Sequence, residues 1–265
     1  MKPAKILKEK INARELTIGA IASYHCWPGL VEILKGAGFD FLIIDFEHGP
    51  FDADMALQTC TIGRLAGFPV LIRPPSLEPT FIHMALDSGA VGLLLPYVES
   101  SEQLDTVQEA IYLPPRGKRR PGGAGVHWVS GFHYENWKAD VEDDLIVLPQ
   151  IESRRGVQNA DAIAQHPITT AIATGPYDLS ADLGVCWQPH HPELLKALDT
   201  VQKAGEKAGK NIWMNGSAED LQKRGYTFFC AGEPSAVLTN ALTNIAQAAR
   251  KSSLPAVSEV DQILS

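Results

Sequence analysis

The stretch LIVLPQIESRRGVQNADAIAQHPITTAIATGPYDLSADLG (145–184) decides the fold. It opens with an apolar run at 145–151, passes into helical spacing over 155–165, and returns to an apolar run at 170–175. Both runs are nearly continuous rather than alternating, as strands covered on two faces must be. Strand, helix and second strand of the same kind make a βαβ unit with a right-handed crossover. The alternation extends both ways, with strands expected at 17–23, 41–46, 70–74, 92–97, 211–215 and 228–232. Helical spacing falls between them at 29–36, 54–65, 78–87, 101–111, 193–208 and 218–224. Eight such units in 265 residues predict an α/β fold closed into a (β/α)8 TIM barrel. A doubly wound open sheet is the competing arrangement. No G-x-G-x-x-G follows the first strand, which counts against its dinucleotide-binding form.

No shift of composition marks a domain boundary, so residues 1–265 are expected to form one barrel domain. A long loop at 114–144 and a C-terminal extension from about 251 interrupt the regular pattern. With 23 basic against 31 acidic residues the formal charge is −8, which excludes a chain-wide nucleic-acid footprint. The one basic run, RGKRR at 116–120, sits among glycines and prolines and reads as a solvated loop. Cys26, Cys60, Cys186 and Cys230 form no CxxC pair, so neither a disulfide scaffold nor a zinc module is expected. The opening MKPAKILKEKINARE lacks the apolar segment of a signal peptide, and no run approaches the length of a membrane span. A cytoplasmic protein without membrane or nucleic-acid partners is expected.

Barrel active sites lie at the C-terminal ends of the strands. Reading only those positions collects Asp45, Glu47 and His48 after the second strand and Arg73 after the third. Gln150 and Glu152 end the fifth, and Tyr177 and Asp178 follow the sixth. Glu152 and Asp178 on adjacent strands could share Mg2+, Mn2+ or Co2+, ions that hard oxygen ligands select. Helix capping explains the same two residues on spacing alone. Asp45 and His48, three apart, suit a carboxylate orienting an imidazole base, though Asp-x-x-His is common by chance and a structural histidine is the simpler explanation of the spacing alone. Arg73 ends an apolar strand and must find an anion, either a substrate or one of Asp45, Glu47 and Asp87. None of the thirteen lysines falls at a predicted strand end, which disfavours Schiff-base chemistry. G-x-S-x-G, P-loop and H-E-x-x-H motifs are all absent.

Five blocks in order, IIDFEHGPFD (43–52), VLIRPP (70–75), ALDSGAVGLLLPYVES (85–100), LPQIESRRGVQNADAIA (148–164) and TGPYDLSADLG (174–184), resemble the class II pyruvate aldolases of the HpcH/HpaI type. The likeness covers roughly residues 15–250. It implies a barrel of the phosphoenolpyruvate/pyruvate superfamily, a homo-oligomer (hexamer or trimer) whose last helix is exchanged between neighbours. It implies an aldolase that reversibly cleaves a 4-hydroxy-2-oxo acid to pyruvate and an aldehyde, with a divalent metal ion and no organic cofactor. Matched by motif, Glu152 and Asp178 are the metal ligands, His48 the base with Asp45 beside it, and Arg73 the contact to the substrate's keto oxygen. Gln150 and Asp87 match further polar positions of the family's pocket.

Two departures from the pattern stand out. Tyr177 replaces a small residue in G-P-x-D-L, where a phenol could narrow the cavity or offer a hydroxyl. The loop after Arg119 is unusually aromatic, with Trp128, Phe132, Tyr134 and Trp137, and is expected to be an interface arm, or else part of an altered acceptor pocket. Other readings keep the same core. Oxaloacetate decarboxylation needs only the metal site and Arg73, and thioester cleavage would need a basic groove for which 116–120 is the one candidate. A non-catalytic oxo-acid-binding barrel is the third reading. Glu152, Asp178, Arg73 and His48 together argue against it, because binding alone has no use for a base.

Overall fold

The computed structural model describes residues 1–50, 52–131 and 133–251. Eight strands, β1 (Thr17–Ala22), β2 (Phe41–Asp45), β3 (Val70–Arg73), β4 (Gly92–Leu95), β5 (Ile146–Ile151), β6 (Ala171–Thr174), β7 (Asn211–Asn215) and β8 (Phe228–Cys230), pair in parallel and in sequence order. Pairing of Thr17 with Phe228 and Gly19 with Cys230 closes the barrel, so the open-sheet alternative is excluded. Six of the strands are buried at every position, which is why the apolar runs showed no alternation. Gly19 is required by packing: a Cβ there would sit 2.3 Å from the Phe41 ring, which itself meets Phe228 at 5.4 Å between centroids.

The outer layer comprises α1 (Lys2–Asn12), α2 (Leu30–Gly36), α3 (Ala53–Ala66), α4 (Pro79–Asp87), α5 (Ser101–Ile111), α6 (Tyr134–Trp137), α7 (Arg154–Gln158), α8 (Ala160–Gln165), α9 (Pro176–Asp182), α10 (Pro192–Lys207), α11 (Ala218–Lys223) and α12 (Pro234–Lys251). The helix expected over 155–165 is two, α7 and α8, broken at Asn159, whose side-chain amide donates to Glu99 O instead of pointing to solvent. Ser153 caps α7 by accepting from the Gly156 amide, and Asp52 caps α3 through the Met55 amide.

The long connection is corrected in its position. It follows α5 and precedes β5, so it lies at the N-terminal end of the barrel, opposite the rim that carries chemistry. There Arg119 donates to Asp87 at 2.6 Å and lies over the fully buried Trp137. Glu142 accepts from the Leu113 amide and from Arg116. The Met1 amino group pairs with Asp144 at 2.6 Å and donates to Asp140 O, so α1 and the arm close the base together. Within one chain the described residues of the arm therefore form no part of an acceptor pocket. Phe132 and the extension after 251 lie outside the described residues. Among the described residues no helix is long and apolar enough to cross a membrane.

Candidate active site

The strand registry itself delivers the centre of the site. Asp45 and Arg73 are direct register partners at the ends of β2 and β3, so their side chains leave the sheet side by side. Arg73 Nε donates to Asp45 Oδ1 at 2.8 Å and Nη2 to Oδ2 at 2.6 Å, a two-pronged pair with both side chains buried. Ser23 Oγ, at the end of β1, donates to Asp45 Oδ2 at 2.6 Å, and the amides of Glu47 and His48 approach Oδ1 at 3.0 and 3.3 Å. Burial pushes the Asp45 carboxyl up, but the Arg73 hydrogen bonds and charge, with Ser23 and the His48 amide, outweigh it and hold Asp45 below the usual range. Burial would lower the Arg73 pKa, and Asp45, Glu47 and Glu152 raise it instead, so the guanidinium stays charged.

Asp45 touches His48 through its main chain. The carboxylate beside the imidazole is Glu47, whose Oε2 lies 3.6 Å from His48 Nε2 and 3.0 Å from Arg73 Nη1. These are charge contacts without hydrogen-bond alignment at Oε2. Burial is the main reason that the Glu47 carboxyl sits above its ordinary value, with Arg73 and His48 opposing and Asp45 and Asp178 adding to it. Expecting Asp45 to orient the imidazole thus gives way to a different division: Asp45 fixes Arg73, and Glu47 bridges Arg73 and His48. The signal was present in the D-F-E-H block, where Glu47 was read only as a possible ion-pair partner of Arg73.

Arg73, His48, Gln150, Tyr177 and Asp178 share one cavity of about 480 Å3 at the C-terminal end of the barrel. Gln150 lies at the floor with its Oε1 3.5 Å from Arg73 Nη1. Glu152 is 2% exposed; its Oε2 accepts from the amide of Tyr97, a residue in left-handed conformation (φ 51°), while its Oε1 has no partner. Burial, reinforced by Glu47 and Asp178 and opposed by the Tyr97 amide and Arg73, pushes its carboxyl up to about 8. Gly175 is required at the cavity wall: a Cβ would fall 2.0 Å from Glu152 Oε1 and 2.8 Å from Gln150 Nε2. Asp178 stands in the first turn of α9, not at its N-cap, which is Gly175.

Asp87 is the one expected pocket residue that the chain does not bring there. It ends α4 at the base of the barrel, paired with Arg119 and pressed against Gly123.

An orphaned buried carboxylate oxygen with a second carboxylate nearby suits a hard divalent cation. Among the described residues no group of three or more His, Cys, Asp or Glu gathers as a ready metal cage. A cation held by Glu152 and Asp178 would complete its shell with water and substrate oxygens, as Mg2+ characteristically does.

Fold and rim together define a barrel enzyme architecture with acidic residues and one buried arginine converging at the strand ends. The family model for HpcH/HpaI aldolase/citrate lyase matches residues 26–241, and the chain belongs to that family. A hydroxypyruvate/pyruvate aldolase of Chromohalobacter salexigens is 34% identical over 229 residues, covering 82% of this chain and 89% of that protein. A 5-keto-4-deoxy-D-glucarate aldolase of Escherichia coli is 31% identical over 261 residues, covering 92% and 96%. The crystal structure of an HpcH/HpaI aldolase from Desulfitobacterium hafniense superposes with a TM-score of 0.84 at 26% identity, covering 94% of this chain and 98% of that one.

Proposed function

We propose that this protein is a divalent-metal-dependent pyruvate aldolase, reversibly splitting a 4-hydroxy-2-oxo acid into pyruvate and an aldehyde. One observation carries the reading: the buried Glu152 carboxylate, with an unpartnered oxygen and a carboxyl pushed up to about 8, lies directly behind Gly175 in the wall of the cavity that Asp178 and Arg73 line. Glu152 and Asp178 would hold the ion. When bound, Mg2+, Mn2+ or Co2+ supplies Lewis-acid polarisation of the oxo acid's carbonyl.

The chain's own groups do the rest. Arg73, kept charged and fixed in direction by Asp45, presents Nη1 to the oxo oxygen where negative charge develops. Gln150 narrows the floor beside it. In cleavage His48 takes the proton of the C4 hydroxyl, the C3–C4 electron pair stays on the pyruvate fragment, and C3 then gains a proton. Glu47 Oε2, 3.6 Å from His48 Nε2, stands beside the imidazole that takes this proton.

The protein is further proposed to act in the cytoplasm as a homo-oligomer, hexamer or trimer. Support comes from α12, where Leu238, Leu242 and Ile245 form one exposed apolar stripe at helical spacing. Such a stripe is suited to packing on a neighbouring copy.

Exchange of pyruvate methyl protons for deuterium, followed by NMR, tests the reaction without any aldehyde. Exchange should need Mg2+, stop in EDTA, and fall with Glu152→Gln, which should also lose Mg2+ binding by calorimetry. Exchange that proceeds equally in EDTA, or is absent with Mg2+, Mn2+ and Co2+ alike, would contradict the proposal.

A further inference from the structure

We infer that Tyr24, Tyr177 and Trp187 form an aromatic collar that selects acceptor aldehydes with an apolar, best an aromatic, substituent and disfavours those bearing a second carboxylate. The inference rests on the aldolase reading above and specifies the substrate class of that same site.

The cavity is graded from floor to mouth. Arg73, Gln150, Thr174 and Trp213 are buried at its floor, where the oxo-acid half is held. Tyr24, Tyr177 and Trp187 line the same cavity yet are 66%, 63% and 76% exposed, so they surround its mouth. What projects from the floor to the mouth is the part of the substrate that leaves as the aldehyde. Three aromatic side chains there offer apolar faces with little rotameric freedom to lose.

Charge points the same way. Arg73 is the only lysine or arginine among the described residues lining this cavity, and it is already committed to Asp45 and Glu47. The other strongly charged side chains on the wall are the acids Asp178 and Glu233. A second substrate carboxylate at the mouth would find no free cation on this chain's wall and, with Asp178 engaged by the ion, Glu233 as a like charge.

The placement of Trp187 is enforced by the backbone. Its φ is +59°, an outlier region for a bulky side chain, and such conformations persist only where the surroundings fix them. The fixing group is Ser180, a buried hydroxyl on α9. Its Oγ accepts from the Trp187 amide at 2.9 Å and donates to the Tyr177 carbonyl at 2.6 Å. One hydroxyl thereby ties together the backbones of two collar residues. Core burial does not account for a tryptophan left three-quarters exposed at a strained position.

The test uses the full-length protein with Mg2+ and pyruvate in the condensation direction. Pyruvate C3 gives up a proton, its electron pair forms the bond to the aldehyde carbon, and the aldehyde oxygen takes a proton. The readout is the ratio of kcat/KM for benzaldehyde to that for succinic semialdehyde. The wild type should favour benzaldehyde by about tenfold or more, the scale on which apolar pocket contacts discriminate. Trp187→Gly, which suits the positive φ, should lower the ratio about tenfold, and Trp187→Phe should restore most of it. Tyr177→Ala gives a second route to the same loss should the glycine variant not fold. A wild-type ratio at or below one, or a ratio unchanged in both Trp187→Gly and Tyr177→Ala, overturns the inference. Wild-type methyl exchange separates the two levels: exchange without benzaldehyde preference sinks the collar alone, whereas absent exchange sinks the aldolase reading and the collar with it.

Discussion

Arg73→Met tests the geometry at its centre, because methionine keeps an unbranched stem and deletes the charge. Asp45 accepts from Arg73 Nε at 2.8 Å, Arg73 Nη2 at 2.6 Å, Ser23 Oγ at 2.6 Å and the amides of Glu47 and His48 at 3.0 and 3.3 Å. The variant removes the first two and, among the described residues, the only cation in contact with this carboxylate. Both side chains of the pair are less than a tenth exposed. Removing one partner of such a buried pair costs about 3–5 kcal/mol. The three donors that remain place the expectation at the lower end, about 3 kcal/mol. For a domain of this size that is a fall of about 6–12 °C in Tm.

The pH dependence has a definite sign. In the wild type Asp45 is held below its ordinary range, so its contribution is present above the unfolded pKa and is lost as pH falls through the folded one. In the variant, burial is left to act with less opposition and the Asp45 pKa rises. The folded variant then binds a proton that the unfolded chain does not, and it gains stability relative to wild type as pH falls from 7.5 towards 5. Thermal melts at fixed protein concentration and both pH values measure this, with Asp45→Asn/Arg73→Met as the double variant that should recover part of the loss. A Tm change within about 2 °C, or a loss equal at both pH values, would refute the argument that Arg73 holds the Asp45 charge in place.

Replacing His48 by alanine should slow cleavage ~10²–10⁴-fold while calorimetric Mg2+ binding persists, since on the proposed reading the imidazole is the base and the ion's ligands lie elsewhere. Gly175→Ala should displace Glu152, because the new methyl would fall 2.0 Å from its Oε1; Mg2+ affinity by calorimetry should drop with activity, and retention of both would mean the carboxylate has room to move. Leu242→Asp places a charge in the exposed stripe of α12 and should shift sedimentation towards smaller species, whereas an unchanged profile would free that stripe from any role in assembly.

The barrel was legible because strands covered on both faces leave an uninterrupted apolar signature, and only their ends moved by a residue or two. Less was legible where the signal is short or directional. The helix α9 spans seven residues, too few to develop a period, so Asp178 looked like a cap when it sits inside the first turn. The helix α1 carries its signal in Ala4, Leu7 and Ile11, all buried, but among the lysines around them that short stripe was not read as a helix. The arm at 114–144 is a different case. Its aromatic residues left an acceptor pocket open beside an interface role, whereas its order in the chain, after a helix and before a strand, already placed it at the base of the barrel, away from the pocket. Asp87 went astray for the same reason: it closes a helix, not a strand. The Asp45–Arg73 pair was within reach of the sequence, since both end strands adjacent in the barrel order, but that Glu47 and not Asp45 faces the imidazole depends on where the guanidinium points.

Charge balance then gives the site its direction. Around one arginine the chain gathers Asp45, Glu47, Glu152 and Asp178. Asp45 is answered in full by Arg73 and by hydrogen bonds, which leaves three carboxylates sharing whatever positive charge remains. Burial of Glu152 and Glu47, and after it the repulsion among these carboxylates, is why those two carboxyls are pushed above their ordinary values. An oxo-acid anion approaching that cluster would be repelled, and Arg73 alone is too heavily committed to reverse the field. A proton on Glu152 relieves the repulsion by one charge; a divalent ion at Glu152 and Asp178 relieves it by two and leaves open positions for substrate oxygens. On the proposed reading, the same excess of acid that makes the bare cluster costly would draw a divalent cation to it, and the cation in turn would admit an anionic oxo acid.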